Sequence, residues 1–355
     1  MKRLQTLFLG IVGIIFVLFL TSLHLQGKTG SIGKETLTIF NWGDYMDPQL
    51  IDKFEKEYGY HVEYETFDSN EAMFTKIKQG GTSYDLAIPS DYMIQRMRTA
   101  NLLLPLDHSK VKGMDVINPK FLNLSFDPGN NYSVPYFWGT LGIVYNEKMV
   151  KSPPKHWEDL WNPIYKNSIL MIDGAREVMG IGLTKLGYSI NSENQKELQQ
   201  SLAQVEKLMP NIQAILADEI KMYMAQNEAP LAVTYSGEAR EMKENNPRLH
   251  YVIPPEGGNL WFDNLVIPIT AKNINGSYDF INFMLQAENA KQNAEYVGYA
   301  TPNEKAQALL PKNIREDKEF YPDDDTITHL EVYADLGHEW LEKYNDLYLE
   351  FKMTK

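Results

Sequence analysis

The stretch Thr36-Leu37-Thr38-Ile39-Phe40 alternates polar and apolar side chains in the manner of a β-strand. Asp47-Pro48 then begins a helix, because proline is favoured at the first helical position, and Gly59 ends it. The pattern next predicts a strand over 61–64, a helix over 69–79, a strand over 84–88 and a helix from residue 91. Strands and helices that alternate in this way predict a parallel sheet with helices on its faces.

The middle of the chain repeats this alternation. We predict strands at 168–172, 231–234, 250–253 and 265–267, and helices around 179–186, 198–209, 278–285 and 287–297. These elements form a second α/β unit, and 355 residues are enough for two domains with full cores. No Gly/Ser linker separates the halves, so we expect short strands to cross between two lobes. The predicted boundaries are 35–139 plus 265–310 for lobe 1, and 140–264 plus 311–355 for lobe 2.

The N-terminus has the composition of an export signal. Met1-Lys2-Arg3 precedes an apolar run over 7–20, and a polar stretch follows it. Because no clear cleavage site follows, residues 1–27 are predicted to be either a signal peptide or an uncleaved membrane anchor. Either places the protein outside the cytoplasm. The chain has no cysteine, which excludes disulfides, thiolate metal sites and a lipid-modified cysteine anchor.

The charge balance is acidic. The formal charge is −13, and without Lys2 and Arg3 of the N-terminal segment 32 basic residues face 47 acidic ones, a charge of about −15. This argues against nucleic acid or anionic lipid as a partner and mildly favours a cationic ligand. A solubilising acidic surface explains the same balance equally well.

Two segments place bulky aromatic residues beside an acid: Asn41-Trp42-Gly43-Asp44-Tyr45 and Leu260-Trp261-Phe262-Asp263. A ring face attracts an ammonium group and a carboxylate pairs with it, so the combination suits a polyamine. Ligands of open α/β sheets bind beyond the carboxyl ends of the strands. Residues 42–45, 90–92 and 173–177 each follow a predicted strand, so we expect them to converge on one cleft.

Longer motifs connect these clusters. They are Phe67-Asp68-Ser69-Asn70-Glu71, Ser125-Phe126-Asp127-Pro128, Pro135-Tyr136-Phe137-Trp138-Gly139, Asp173-Gly174-Ala175-Arg176-Glu177-Val178 and Gly298-Tyr299-Ala300-Thr301-Pro302-Asn303. In this order and spacing they resemble the spermidine/putrescine-binding receptors of bacterial ABC importers, over nearly the whole chain after residue 35. The resemblance implies a two-lobed α/β fold of the type II periplasmic-binding-protein kind, with a cleft that closes on its ligand. It further implies a monomer that uses no cofactor and delivers a polyamine to ABC permease subunits.

The resemblance also implies individual site residues. Trp42 and Tyr45 match an aromatic lip, Asp44 matches an acid, and Ser90 and Tyr92 match a polar and aromatic pair. Family residues of identical type stand at Glu177, Trp261, Asp263 and Tyr299.

Three positions depart from the family pattern. Gly174 replaces a carboxylate, although Asp173 is adjacent, while Tyr235 stands for a tryptophan and Tyr333 for a glutamine. The choice between spermidine and putrescine therefore stays open. The complete predicted ligand site is Trp42, Asp44, Tyr45, Ser90, Tyr92, Asp173, Glu177, Tyr235, Trp261, Asp263, Tyr299 and Tyr333.

Structural roles compete with these assignments. By pattern alone, structural roles explain Trp261 and Asp263 as well as ligand binding does: a core tryptophan and a strand-end cap. Asp44 suits a turn before a helix, and Glu177 suits a helix N-terminus. Trp138 has no acid nearby, so we predict core or hinge packing for it.

Two other functions fit part of the pattern. A receptor for another small solute, such as a sugar, needs the same cleft, and an extracytoplasmic glycosidase uses paired carboxylates among aromatic residues. However, the sequence has no HExxH, GxSxG or P-loop, and its seven histidines lack metal-ligand spacing. We therefore predict a binding protein with no catalytic or metal-ligating residues.

Overall fold

The computed structural model describes residues 35–354, so the predicted signal or anchor segment at 1–27 lies outside the described residues. The first part of the chain comprises β1 (Thr36–Trp42), α1 (Pro48–Tyr58), β2 (His61–Phe67), α2 (Asn70–Gln79), β3 (Leu86–Ala87), α3 (Asp91–Thr99) and the long strand β4 (Ser133–Asn146). The middle comprises β5 (Ile169–Ile172), α4 (Ala175–Lys185), α5 (Gln195–Leu208), β6 (Ile212–Leu216), α6 (Glu219–Ala225), β7 (Leu231–Tyr235) and α7 (Ser236–Asn245).

The remaining elements complete both lobes. They are β8 (Leu249–Val252), β9 (Gly258–Val266), α8 (Ile274–Met284), α9 (Ala287–Val297), α10 (Glu304–Leu309), α11 (Lys312–Arg315), α12 (Asp324–Thr328), β10 (Leu330–Glu331) and α13 (Gly337–Met353). Within residues 35–354, no helix is long and apolar enough to cross a bilayer.

Helix α1 shows how local sequence sets an element. The Asp47 side chain accepts a hydrogen bond from the backbone N–H of Gln49 and thereby caps the helix. Pro48 occupies the first turn, Leu50 and Phe54 are buried, and Gly59 ends the helix with a left-handed φ of 81°. The predicted start and end of this helix are both confirmed.

One sheet runs through the described part of the molecule in the strand order β2-β1-β3-β9-β4-β7-β5-β6, with β8 beside β4 and β10 beside β9. Strand β1 is parallel to β2 and β3, and β5 is parallel to β6 and β7, as the alternating pattern predicts. Strands β4 and β9 are antiparallel and lie between these two groups. The two parallel groups with their helices form the two lobes.

The connection between the lobes differs from the prediction. We expected short crossing strands, but β4 has 14 residues, of which all but Tyr145 are buried. Strand β9 begins at Gly258, well before the predicted strand at 265–267. Trp138 of β4 is buried, as predicted for core packing, and its indole N–H donates to the carbonyl of Thr301 at 3.3 Å.

Candidate functional site

A cavity of about 800 Å³ opens between the lobes, beyond the ends of strands β1, β3 and β7. Eleven of the twelve predicted site residues line it: Trp42, Asp44, Tyr45, Ser90, Tyr92, Glu177, Tyr235, Trp261, Asp263, Tyr299 and Tyr333. The predicted convergence of segments that are distant in the sequence therefore occurs in the structure.

Asp263 is a buried carboxylate at this cleft, with only 6% of its surface exposed. The Tyr45 hydroxyl donates to Oδ2 and the Ser90 hydroxyl to Oδ1, each at 2.6 Å. Burial raises the pKa of Asp263 to about 6, and the two hydroxyl donors oppose that rise because they stabilise the anion. The residue is thus an oriented anion that lacks a cationic partner in its hydrogen-bond set.

Residues 89–91 hold strand β9 in place around Asp263. The Asp91 carboxylate accepts from the backbone N–H of Phe262 at 3.0 Å, and the Pro89 carbonyl accepts from the N–H of Asn264 at 3.0 Å. Burial raises the pKa of Asp91 to about 8, although two backbone N–H groups oppose the rise. The predicted site omitted Asp91, although its position between two predicted site residues could have indicated that it belongs to the site.

Aromatic rings form the walls of the cleft. Because β9 is extended here, Trp261 and Asp263 project to the same face. The ring of Tyr299 meets that of Trp261 edge to face, with centroids 5.1 Å apart, and it contacts Tyr45 at 5.5 Å. Trp42 also lines the cleft, and its indole N–H donates to the Ile88 carbonyl at 3.0 Å.

Glu177 brings a second carboxylate to the cleft from the first turn of α4. Its Oε1 accepts from the Tyr235 hydroxyl at 2.8 Å. Asp44 is exposed at the cleft and has a left-handed φ of 50°. Tyr333 is buried, and the Arg176 guanidinium lies 4.2 Å from its ring centroid. The side chains therefore come from both lobes.

Asp173 is the predicted residue that does not line the cavity. Its Oδ1 accepts from the Tyr348 hydroxyl at 2.6 Å, and Lys352 approaches Oδ2 at 3.1 Å. Both partners lie on the C-terminal helix α13, so this carboxylate is directed toward that helix rather than into the cleft. Nothing in residues 173–177 alone could have indicated those partners.

The cleft is strongly acidic. Of the described residues that line it, Lys221 alone is basic, and its ammonium pairs with Glu241 at 2.9 Å. Eight carry carboxyl groups: Asp44, Asp68, Asp91, Glu177, Asp218, Glu238, Glu241 and Asp263. The predicted site also omitted Asp68, Asp218, Glu238 and Glu241; Asp218 immediately precedes α6, and Glu238 and Glu241 lie within α7. Across residues 35–354, no group of three or more histidine or acidic side chains could hold a metal ion.

The chain belongs to the family of bacterial extracellular solute-binding proteins, whose model matches residues 49–322. Its relatives include the spermidine/putrescine-binding periplasmic protein of Salmonella typhimurium, which is 41% identical over 307 residues, or 85% of this chain and 88% of the relative.

Solved structures that share the fold include two that are about 60% identical to this chain. A spermidine/putrescine ABC transporter substrate-binding protein from Streptococcus pneumoniae is 60% identical with a TM-score of 0.85, covering 90% of this chain and 99% of that one. A putative spermidine/putrescine ABC transporter from Listeria monocytogenes is 59% identical with a TM-score of 0.84, covering 91% and 100%. The predicted two-lobed α/β fold is confirmed.

Proposed function

We propose that this protein is a polyamine receptor that binds spermidine or putrescine outside the cytoplasm and delivers it to an ABC permease. The single observation that carries the proposal is the pairing of oriented, partly desolvated carboxylates with aromatic walls in one cleft between the lobes. Relatives named as spermidine/putrescine-binding proteins support the same ligand class.

The chemistry of the cleft fits a flexible methylene chain with an ammonium group at each end. Removing water from an ammonium costs several kcal/mol unless a carboxylate replaces it, so Asp263 and Glu177 are suited to hold the charged ends. A ring contact contributes about 0.5 to 2 kcal/mol, so Trp261, Tyr299 and Tyr235 are suited to grip the ligand along its length. The carboxylates set the position of the ligand and the rings add affinity.

The proposal extends to catalysis, oligomeric state, the N-terminal segment and the lobe boundaries. The relatives are transport components, and we propose that this chain likewise binds its ligand without transforming it. We propose that it acts as a monomer, with its N-terminal segment either removed or retained as an anchor. We also propose that the lobes divide at 139/140, 264/265 and 310/311. With these boundaries, Asp263 and Tyr299 belong to different lobes.

Titration calorimetry with spermidine, putrescine and a panel of neutral sugars tests the function. Polyamine binding that weakens as salt concentration rises is the expected result, because ion pairs at a solvent-connected cleft are screened. A protein that binds a sugar and ignores both polyamines would be a sugar receptor. Release of a cleaved sugar product would instead identify a glycosidase.

A further inference from the structure

Glu177 lies against a residue that has no side chain. Gly174 precedes the first turn of α4, and a Cβ at that position would lie 2.1 Å from Glu177 Oε2 and 2.8 Å from its Cδ. Gly174 has an ordinary extended backbone, with φ −154° and ψ 125°, which any residue can adopt. A side chain at 174 would therefore meet the end of the Glu177 side chain rather than backbone.

The other side of the same carboxylate is held by a hydroxyl group. Tyr235 ends strand β7, and its hydroxyl donates to Glu177 Oε1 at 2.8 Å. Its ring also meets the Trp261 ring edge to face at 6.1 Å between centroids, a contact that does not involve Glu177. One oxygen of Glu177 is thus occupied by Tyr235, and the other lies over the bare Cα of Gly174.

We propose that Gly174 and Tyr235 are positioning residues that act together on Glu177, so that one carboxylate in one orientation meets a single ligand ammonium at this end of the cleft. A side chain at 174 forces Glu177 to rotate away from Tyr235, and loss of the hydroxyl frees Glu177 to rotate by itself. The inference rests on the proposed function, because the property that it concerns is polyamine affinity.

Two substitutions test the arrangement from opposite sides. Gly174→Ala adds the Cβ that would meet the carboxylate, and Tyr235→Phe removes the hydroxyl while keeping the ring beside Trp261. Hydrogen bonds to charged groups contribute enough that each change should weaken spermidine binding about tenfold, with little change in the melting temperature of the unliganded protein. Tyr60→Phe is the matched control, because it removes a tyrosine hydroxyl that donates to Asp279 at 2.8 Å, and neither residue lines the cleft. Its spermidine affinity should stay within about twofold of the parent.

A double-mutant cycle separates positioning from general structural damage. In a Glu177→Ala background neither Gly174→Ala nor Tyr235→Phe should change spermidine affinity by more than about twofold, because the group that they position is gone. Parent-like affinity in both single variants overturns the inference. So does a loss that persists undiminished when Glu177 is absent.

A crystal structure of the unliganded Gly174→Ala variant gives a readout that does not depend on the ligand. Glu177 should move beyond hydrogen-bonding distance of Tyr235, and a retained hydrogen bond overturns the inference. If the parent binds neither polyamine, the proposed function fails. The position of Glu177 in the Gly174→Ala crystal structure still decides whether a side chain at 174 displaces the carboxylate.

Discussion

The hydroxyl of Tyr45 donates to Oδ2 of Asp263 at 2.6 Å although 218 positions separate the two residues in the chain. Tyr45 follows strand β1, whereas Asp263 lies in β9, so the bond joins the loop after the first strand to a crossing strand. Together with the Ser90 hydroxyl on Oδ1, it occupies one lone-pair direction on each carboxylate oxygen. The carboxylate is thereby oriented before a ligand arrives, and an approaching ammonium meets a fixed partner.

Asp263→Asn should weaken spermidine and putrescine binding at least thirtyfold. Loss of one partner in a buried charge pair costs about 2 to 5 kcal/mol, and about 1.4 kcal/mol corresponds to a factor of ten. The substitution keeps the shape and removes an anion whose burial is itself unfavourable, so the unliganded melting temperature should not fall. Calorimetry and thermal unfolding of the same preparations measure both. Normal affinity, or a sharp fall in melting temperature, would make Asp263 a structural cap.

Asp173→Asn should leave polyamine affinity within about twofold of the parent, because Asp173 contacts Tyr348 and Lys352 outside the cleft. An exposed ion pair contributes less than about 1 kcal/mol, so the free energy of unfolding should fall by no more than that. The same calorimetric and thermal measurements apply. A large loss of affinity here would show that Asp173 turns into the cleft when ligand binds.

Affinity should fall as the pH drops through about 6. Asp263, with its pKa raised to about 6, is ionised above that pH and protonated below it, whereas the ligand's ammonium groups keep their charge. Spermidine binding at pH 5 should therefore be about fivefold weaker than at pH 6, and Asp263→Asn should flatten this dependence. Because the pKa of Asp263 is higher in the folded protein than in the unfolded chain, this residue lowers the free energy of unfolding as the pH rises from about 4 to about 6. Asp263→Asn should abolish this loss of stability. A parent whose affinity is constant from pH 5 to 7 contradicts the assignment.

Gly237→Ala should weaken polyamine binding by disturbing an aromatic wall. A Cβ at Gly237 would lie 1.7 Å from the Tyr299 ring, which itself packs edge to face on Trp261. Overpacking costs about 1 to 3 kcal/mol, so the ring should shift, and loss of a ring contact of about 0.5 to 2 kcal/mol should lower the affinity about two- to thirtyfold by calorimetry. If the same loss occurs in a Tyr299→Ala background, the effect does not run through this ring.

Spermidine should make the protein more compact. The cleft residues come from both lobes, and a ligand that contacts both favours the closed arrangement. Small-angle X-ray scattering at saturating spermidine should give a smaller radius of gyration than the unliganded protein. Asp263→Asn at the same ligand concentration is the control, and an unchanged radius for the parent would contradict closure.

The sequence predicted most local elements and the convergence of the cleft. Helix α9 has the predicted bounds, and α1 begins and ends as its proline and glycine indicate. Strand β4 escaped prediction because nearly all of its residues are buried, which removes the alternation that marks a half-buried strand. The direction of the Asp173 side chain could not be predicted from the sequence. It depends on Tyr348 and Lys352, which come close to Asp173 only in the folded chain. Trp261 and Asp263 share one face of β9, although the predicted strand began only at residue 265, and their selection came from the family resemblance rather than from the strand pattern.

The long antiparallel pair of β4 and β9 has a mechanical consequence. The pair is hydrogen-bonded from Ser133–Val266 to Thr140–Leu260, and it carries the parallel strands of one lobe on one side and those of the other lobe on the opposite side. Neither lobe possesses a sheet that is complete without these two strands. Heat or denaturant should therefore melt both halves in one cooperative transition, and a fragment cut to either half would leave the edge of its sheet exposed to aggregation.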